Sequence, residues 1–224
     1  LGDVYKRQVL NVPIDIQYDS DQYFISGFTS EVTVFLTGSN RVALASEMQE
    51  STRKFKVTAD LSDASVGTIE VPLTIENLPS GLTAVATPQK ITVKVGKKAK
   101  RDNVIVVPEI DPSQIDSRVK IDTVTVSDEK VTVISDEETL SKVDRVIAIL
   151  PTSERITRNY SSSVPLQAVD KNGNVLPSVI MPFDTTMKIT TKTATSSSSN
   201  SSTSSSEGSS SSTSSETKSD SSKQ

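Results

Sequence analysis

The side chains that could perform chemistry in this chain are carboxylates, hydroxyls and amides, because the sequence contains neither Cys nor His. Their absence excludes disulfides, thiolate metal sites, Cys–His nucleophile pairs and imidazole general bases. Carboxylates cluster at residues 19–21 (Asp-Ser-Asp) and 136–138 (Asp-Glu-Glu). Two carboxylates could cleave a glycosidic bond if they faced each other across a cleft and one had a raised pKa.

Both carboxylate clusters lie in hydrophilic segments typical of turns and helix starts, where acidic side chains cap backbone N–H groups. The serines lack a His partner and a Gly-x-Ser-x-Gly turn. With only 8 Gly in 224 residues, the chain has no Gly-rich phosphate loop. We therefore assign no catalytic residue, no cofactor-binding residue and no cofactor, and we interpret the protein as not being an enzyme.

Residues 170–174 (Asp-Lys-Asn-Gly-Asn) place oxygen ligands at alternate positions, as calcium-binding loops do. The Gly stands fourth rather than sixth, and Ile180 and Met181 occupy the place of the closing acidic ligand. Asn-Gly between apolar segments is a strong signal for a tight hairpin turn. The segment therefore predicts a hairpin, and no metal ligand is assigned.

The charge pattern gives little support to a nucleic-acid partner. The formal net charge is -4, and the one basic cluster, residues 97–103, holds four cations without any aromatic side chain that could stack on a base. Lysines also keep exposed backbone from pairing with other chains. We interpret residues 97–103 as a solvated basic linker.

The elements expected around these residues are mainly β-strands. Apolar and polar residues alternate in segments 54–59, 67–75 and 90–95, which predicts strands with one face on a core. Residues 60–62 and 78–81 have turn chemistry. Short helices are predicted at residues 42–48, capped by Ser39 or Asn40, and at 136–143. The alternation in 119–126 slips at Thr123, which indicates a β-bulge.

The strand pattern occurs twice. Val32-Thr33-Val34 returns as Val131-Thr132-Val133, Val71-Pro72-Leu73 as Val164-Pro165-Leu166, and Lys90-Ile91-Thr92 as Lys188-Ile189-Thr190. A repeat of this length predicts two tandem domains of similar size. We place module one at residues 9–96 and module two at 104–192. The predicted fold class is all-β, with one or two short helices.

The two ends of the chain differ from the modules. Residues 1–8 join no repeat and are interpreted as non-native sequence introduced during read assembly. We expect native sequence to begin near Val9, with an unknown length missing upstream. Residues 193–224 are almost entirely Ser and Thr with scattered charges, so they cannot bury apolar surface and are predicted to be disordered.

Taken together, the motifs resemble the YbbR-domain family. Module two departs from the family pattern at Leu150-Pro151-Thr152-Ser153 and lacks the Gly after Leu176-Pro177-Ser178, so it resembles a diverged repeat. The resemblance covers about residues 9 to 192. The motifs that carry it in module one are Val12-Pro13, residues 32–38, Asp60-Leu61-Ser62 with Gly67, residues 69–72, residues 78–82 and residues 87–93.

The resemblance implies a function that the residues do not show by themselves. Such proteins carry one N-terminal membrane helix followed by elongated YbbR repeats outside the cell, so a single-pass anchor missing from this chain is expected. The family implies a Gram-positive, membrane-anchored regulator that contacts a membrane diadenylate cyclase, with a cell-envelope ligand as a further partner. The alternative function is a structural cell-surface stalk or adhesion module with a Ser-rich spacer.

Overall fold

The computed structural model describes the backbone of residues 5–193 and the side chains of residues 11–192. These residues form thirteen strands, two short α-helices and one 3₁₀ turn. The predicted all-β class with two short helices is therefore confirmed. The Ser/Thr-rich segment predicted to be disordered lies outside the described residues from 194 onward, as do residues 1–4.

Module one contains seven strands and one helix before it reaches the long strand β8. Its elements are β1 (Tyr5–Gln17), β2 (Tyr23–Ser26), β3 (Glu31–Gly38), α1 (Arg41–Met48), β4 (Lys56–Asp60), β5 (Gly67–Pro72), β6 (Thr74–Glu76) and β7 (Leu82–Thr87). Residues 5–8, which the sequence suggested were non-native, belong to the backbone of β1. Five strands form a sheet in the order β6-β4-β1-β3-β7, with β1 and β4 parallel. The strands β6 and β7 are therefore its two edges.

Module two shares strand β8 with module one. Its elements are β8 (Lys90–Glu109), a 3₁₀ turn (Pro112–Gln114), β9 (Val119–Val126), β10 (Lys130–Asp136), α2 (Glu137–Lys142), β11 (Arg145–Ile149), β12 (Tyr160–Val169) and β13 (Asp184–Thr193). The second sheet runs β10-β8-β11-β12-β13-β9, and β2 and β5 also pair with β8.

Strand β8 is continuous through the segment predicted to be a linker. Residues 90–97 pair with β5 and β2, residues 98–105 pair with β10, and residues 106–109 run parallel to β11. Residues 97–103 are therefore strand and not a solvated loop, which corrects the prediction. Sequence composition misled here because a paired strand can carry Lys on its solvent-facing side while its backbone remains fully hydrogen-bonded.

The two modules have the same topology. In each, a strand, a short helix and a second strand follow one another (β3-α1-β4 and β10-α2-β11), and the second strand lies parallel to the module's first (β1 or β8). The predicted tandem repeat is confirmed. The register of its last strand was wrong: Lys188 pairs with Ser161 as Lys94 pairs with Thr68, so Lys188 corresponds to Lys94 rather than to Lys90.

Three strand predictions differ from the structure. The segment 67–75 is two strands, because the chain crosses from one sheet to the other at Leu73, whose N–H bonds to Gln89 O at 2.8 Å. The edge strand β7 was missed, since its inward positions include two alanines, Ala84 and Ala86, which have low β-propensity. The segment 175–189 is a strand only from Asp184 onward.

Other local predictions are confirmed. Asn40 caps α1 by accepting hydrogen bonds from the N–H groups of Val42 and Ala43, each at 3.1 Å. The bulge expected near Thr123 is present, because the β9–β13 register shifts between Thr190 and Thr191. These features depend on neighbouring residues alone, which is why the sequence was sufficient to find them.

Module two has one continuous core, whereas module one has two smaller core clusters. The first cluster of module one surrounds Val34, Leu36 and Leu44, all nearly inaccessible to solvent. The second contains Val93 and Val95 from β8. Because β8 contributes to the cores of both modules, the modules are joined by packing as well as by the chain.

Candidate interaction surfaces

The two carboxylate clusters act locally. Asp19 Oδ1 accepts a hydrogen bond from the N–H of Asp21 at 3.2 Å, inside a turn. Asp136 is the N-cap of α2: its Oδ1 accepts from Thr139 N–H and its Oδ2 from Thr139 Oγ1, both at 2.8 Å. Both clusters therefore stabilise backbone turns, as their hydrophilic sequence contexts predict.

Five described carboxyl groups have a pKa held below the ordinary Asp value. Burial acts to raise the pKa of Asp136, but the hydrogen bonds from Thr139 and the charge of Lys94 lower it overall. The Asn174 N–H is the largest cause of the lowered pKa of Asp170. A glycosidase acid needs the opposite shift. The full set is Asp60, Asp111, Asp116, Asp136 and Asp170.

The segment 170–174 forms the predicted hairpin turn. Val169 and Val175 form an antiparallel bridge, and Gly173 has the positive φ of +82° that the turn requires. Asp170 Oδ1 accepts hydrogen bonds from the N–H groups of Asn172 and Asn174, each at 2.9 Å. Among the residues that the structure describes, no group of three or more acidic side chains is arranged to hold a metal ion.

A buried carboxylate also serves a structural purpose in module one. Glu47, at the end of α1, is 1% exposed, and its Oε2 accepts hydrogen bonds from the N–H groups of Lys54 and Phe55 at 2.8 and 3.1 Å. This contact fixes the loop between α1 and β4. This contact was not predicted, because Glu47 lies outside the carboxylate clusters.

The junction between the modules is closely packed at Gly96. A Cβ placed on Gly96 would lie 2.4 Å from Asp136 Cβ, far inside van der Waals contact. Asp136 is itself only 2% exposed and begins α2 of module two. Residue 96 must therefore be glycine for the two modules to meet in this orientation.

Charged pairs bridge the same junction. Lys94 Nζ lies 3.6 Å from Glu138 Oε2, and Lys97 Nζ lies 3.8 Å from Glu137 Oε1. These four side chains line a cleft of about 430 Å³ between the modules. Each pair is largely exposed, so we expect a small contribution to stability and a larger one to orientation.

Exposed apolar side chains form a further surface on the sheet that contains β3 and β7. Phe35 is 42% exposed and Val85 is 44% exposed, and the two are partners across those strands. In module two, Ile134 and Ile180 form the corresponding bridge, and Ile180 is 56% exposed. Apolar residues placed outward at matching positions suit contact with another macromolecule.

These outward residues were not predicted from the sequence. The available signal was Phe35 between Val34 and Leu36, where the alternation of the strand calls for a polar residue.

Within residues 5–193, no helix is long and apolar enough to span a membrane.

The fold and these surfaces define a tandem-repeat β protein whose exposed features suit macromolecular contact. The model of the YbbR-like protein family matches residues 12–95 and 105–189, one match for each module. The chain therefore belongs to the YbbR-like family, as its motifs predict.

Among particular relatives, the chain is 24% identical over 180 residues to the CdaA regulatory protein CdaR of Bacillus subtilis (strain 168). The match covers 80% of this chain and 36% of that protein, so the chain corresponds to about a third of the length of the relative.

Two solved structures are similar. A YbbR-like protein from Streptococcus pneumoniae TIGR4 is 71% identical, with a TM-score of 0.79, over 86% of this chain and 98% of the other. A YbbR-like domain from Listeria monocytogenes is 34% identical over 44% of this chain and 97% of the other, with a TM-score of 0.38.

Proposed function

We propose that this chain is the extracellular repeat region of a membrane-anchored regulator, which modulates a membrane diadenylate cyclase through protein–protein contact. The similarity to a CdaA regulatory protein over both modules is the observation that carries the proposal. The outward apolar residues Phe35 and Val85 support contact with a protein partner. The anchor, the extracellular location and the cyclase as partner are all parts of the proposal.

Regulation by contact requires that the repeats bind one state of the cyclase better than another. A fixed module orientation favours binding in general, because a rigid surface loses little conformational entropy on binding. Gly96 and the paired charges at the junction provide such a fixed orientation.

The experiment is co-expression of the intact protein, with its upstream sequence, and the membrane diadenylate cyclase. We expect the cellular cyclic di-AMP concentration to differ from that with the cyclase alone. A version without the membrane anchor serves as the control and should have no effect. An unchanged concentration with both proteins present in the membrane would overturn the regulatory proposal.

A second candidate function is a cell-surface stalk or adhesion module. Strand β8 favours it, because one strand of 20 residues that pairs with strands in both modules leaves no loop between them. Under this function the cyclic di-AMP concentration would not respond, whereas removal of the protein would change the attachment of cells to a surface.

A further inference from the structure

The edges of the module-one sheet flank an open groove. Leu73, Thr74 and Ile75 line one side, and the β7 residues 84–86 line the other, around a volume of about 440 Å³. Both β6 and β7 end the sheet order, so each has an edge without a neighbouring strand among residues 5–193. Such edges can pair with an additional strand.

The backbone of β6 directs an acceptor into this groove. The N–H of Leu73 points away from β4, since it donates to Gln89 O at 2.8 Å. Leu73 immediately precedes β6 (Thr74–Glu76), and residues two apart in an extended chain direct their backbone groups to the same side. The C=O of Ile75 therefore also points away from β4, towards the groove.

Module two shows what covers the equivalent edge. There Leu166 N–H donates to Phe183 O at 2.9 Å, matching the bond between Leu73 and Gln89. Ala168 corresponds to Ile75, and its C=O accepts a hydrogen bond from Leu176 N–H at 2.9 Å. An extended Val175-Leu176 segment thus covers the β12 edge that corresponds to β6.

In module one the counterpart of Leu176 is Leu78, which packs against the core and, among the described residues, makes no backbone hydrogen bond to Ile75. The chain turns immediately after β6 at Asn77, which has a positive φ of +59°, and continues to β7. In module two the hairpin at residues 170–174 returns the chain along the edge instead. The same edge is therefore covered by the chain itself in module two and left open in module one.

We propose that the β6 edge of module one binds an extended, uncharged apolar segment of a partner protein by strand addition. The Val-Leu segment of module two gives the occupant's chemistry. The lining of the groove suits an uncharged segment, because Lys90 is its one charged residue. Lys90 already forms an ion pair with Glu70 at 3.4 Å. The proposal goes beyond the regulatory function and does not depend on which enzyme is regulated.

The test is an NMR titration of the isotopically labelled 224-residue chain with an end-blocked peptide of residues 174–178 (Asn-Val-Leu-Pro-Ser). We expect shifts at residues 73–76 and 84–86, because the peptide Leu N–H would donate to Ile75 C=O. The same peptide with an N-methylated Leu keeps every side chain and lacks that donor. It should therefore bind at least about tenfold more weakly.

Two protein variants complete the test. Val85→Lys places a charge in the groove and should weaken binding about tenfold. Ile105→Lys, at an exposed position of β8 outside the groove lining, should bind as the wild type does. Absence of shifts at millimolar peptide, equal binding of the N-methylated peptide, or shifts confined to other residues would overturn the proposal. A regulator that alters cyclic di-AMP without binding this peptide would leave the proposed function standing.

Discussion

At the scale of single residues, Asp136 has two roles that depend on different parts of its side chain. Its carboxylate caps α2 through Thr139, and its Cβ fills the space that Gly96 leaves open. The cap places a negative charge at the positive end of the helix, next to Lys94. The charge and the packing can therefore be separated by substitution.

We predict that the Asp136 charge makes stability depend on pH. Because the pKa of Asp136 is lower in the folded protein, the unfolded chain binds more protons as pH falls. The stabilisation is complete well above the unfolded pKa of about 3.9 and is lost as pH falls through the folded value. Asp136→Asn keeps a capping oxygen but has no charge to titrate.

Urea unfolding of both proteins at a series of pH values checks this prediction. At neutral pH the wild type should have the larger free energy of unfolding. The difference from Asp136→Asn should shrink as pH falls below about 4. A difference that stays constant from neutral to acid pH would contradict a role for the charge.

At the scale of elements, the structure depends on contacts between segments far apart in sequence. The sequence predicted the α1 cap and the β9 bulge, since each is encoded by adjacent residues. It could not reveal that Gly96 contacts Asp136, because the two are brought together only when β10 pairs with β8. The open groove was also hidden, since it depends on which strands become edges.

We predict that Gly96→Ala disrupts the junction and lowers the free energy of unfolding by about 1–3 kcal/mol, as overpacking does. The added methyl would overlap Asp136 Cβ unless the modules moved apart. Thermal unfolding measures the loss, and small-angle scattering measures the change in module orientation.

The double variant Gly96→Ala with Asp136→Gly tests the cause. Glycine removes the opposing Cβ and costs only a few tenths of a kcal/mol at an N-cap. We expect the double variant to recover stability relative to Gly96→Ala alone. If the stability losses of Gly96→Ala and Asp136→Gly simply add in the double variant, the loss in Gly96→Ala does not arise from contact with Asp136 Cβ.

At the scale of the whole molecule, β8 makes the modules interdependent. Its residues 98–101 pair with β10 of module two. The sequence repeat, however, places the start of module two at residue 104. Arg101 also donates to Val143 O at 2.6 Å and to Leu140 O, which satisfies carbonyl groups at the end of α2. A boundary drawn from the sequence repeat therefore divides a structural unit.

We predict that a fragment of residues 104–192 is less stable than one of residues 97–192. The shorter fragment loses the pairing of β10 with residues 98–101 and both Arg101 hydrogen bonds. Charge-assisted bonds contribute about 1.5–3 kcal/mol each, so its Tm should be lower by at least about 10 °C. Circular dichroism on heating measures both fragments, and equal melting temperatures would show that residues 97–103 are dispensable.

The unbroken course of β8 has a mechanical consequence. At about 3.3 Å per residue, its 20 residues have a contour length of at most about 65 Å, with an irregularity at Asn103 but no loop between the modules. A tensile force applied across the junction between the modules would act on β8 and on the hydrogen bonds that it makes with strands of both modules. The junction between the two modules would thus transmit a pull with little extension.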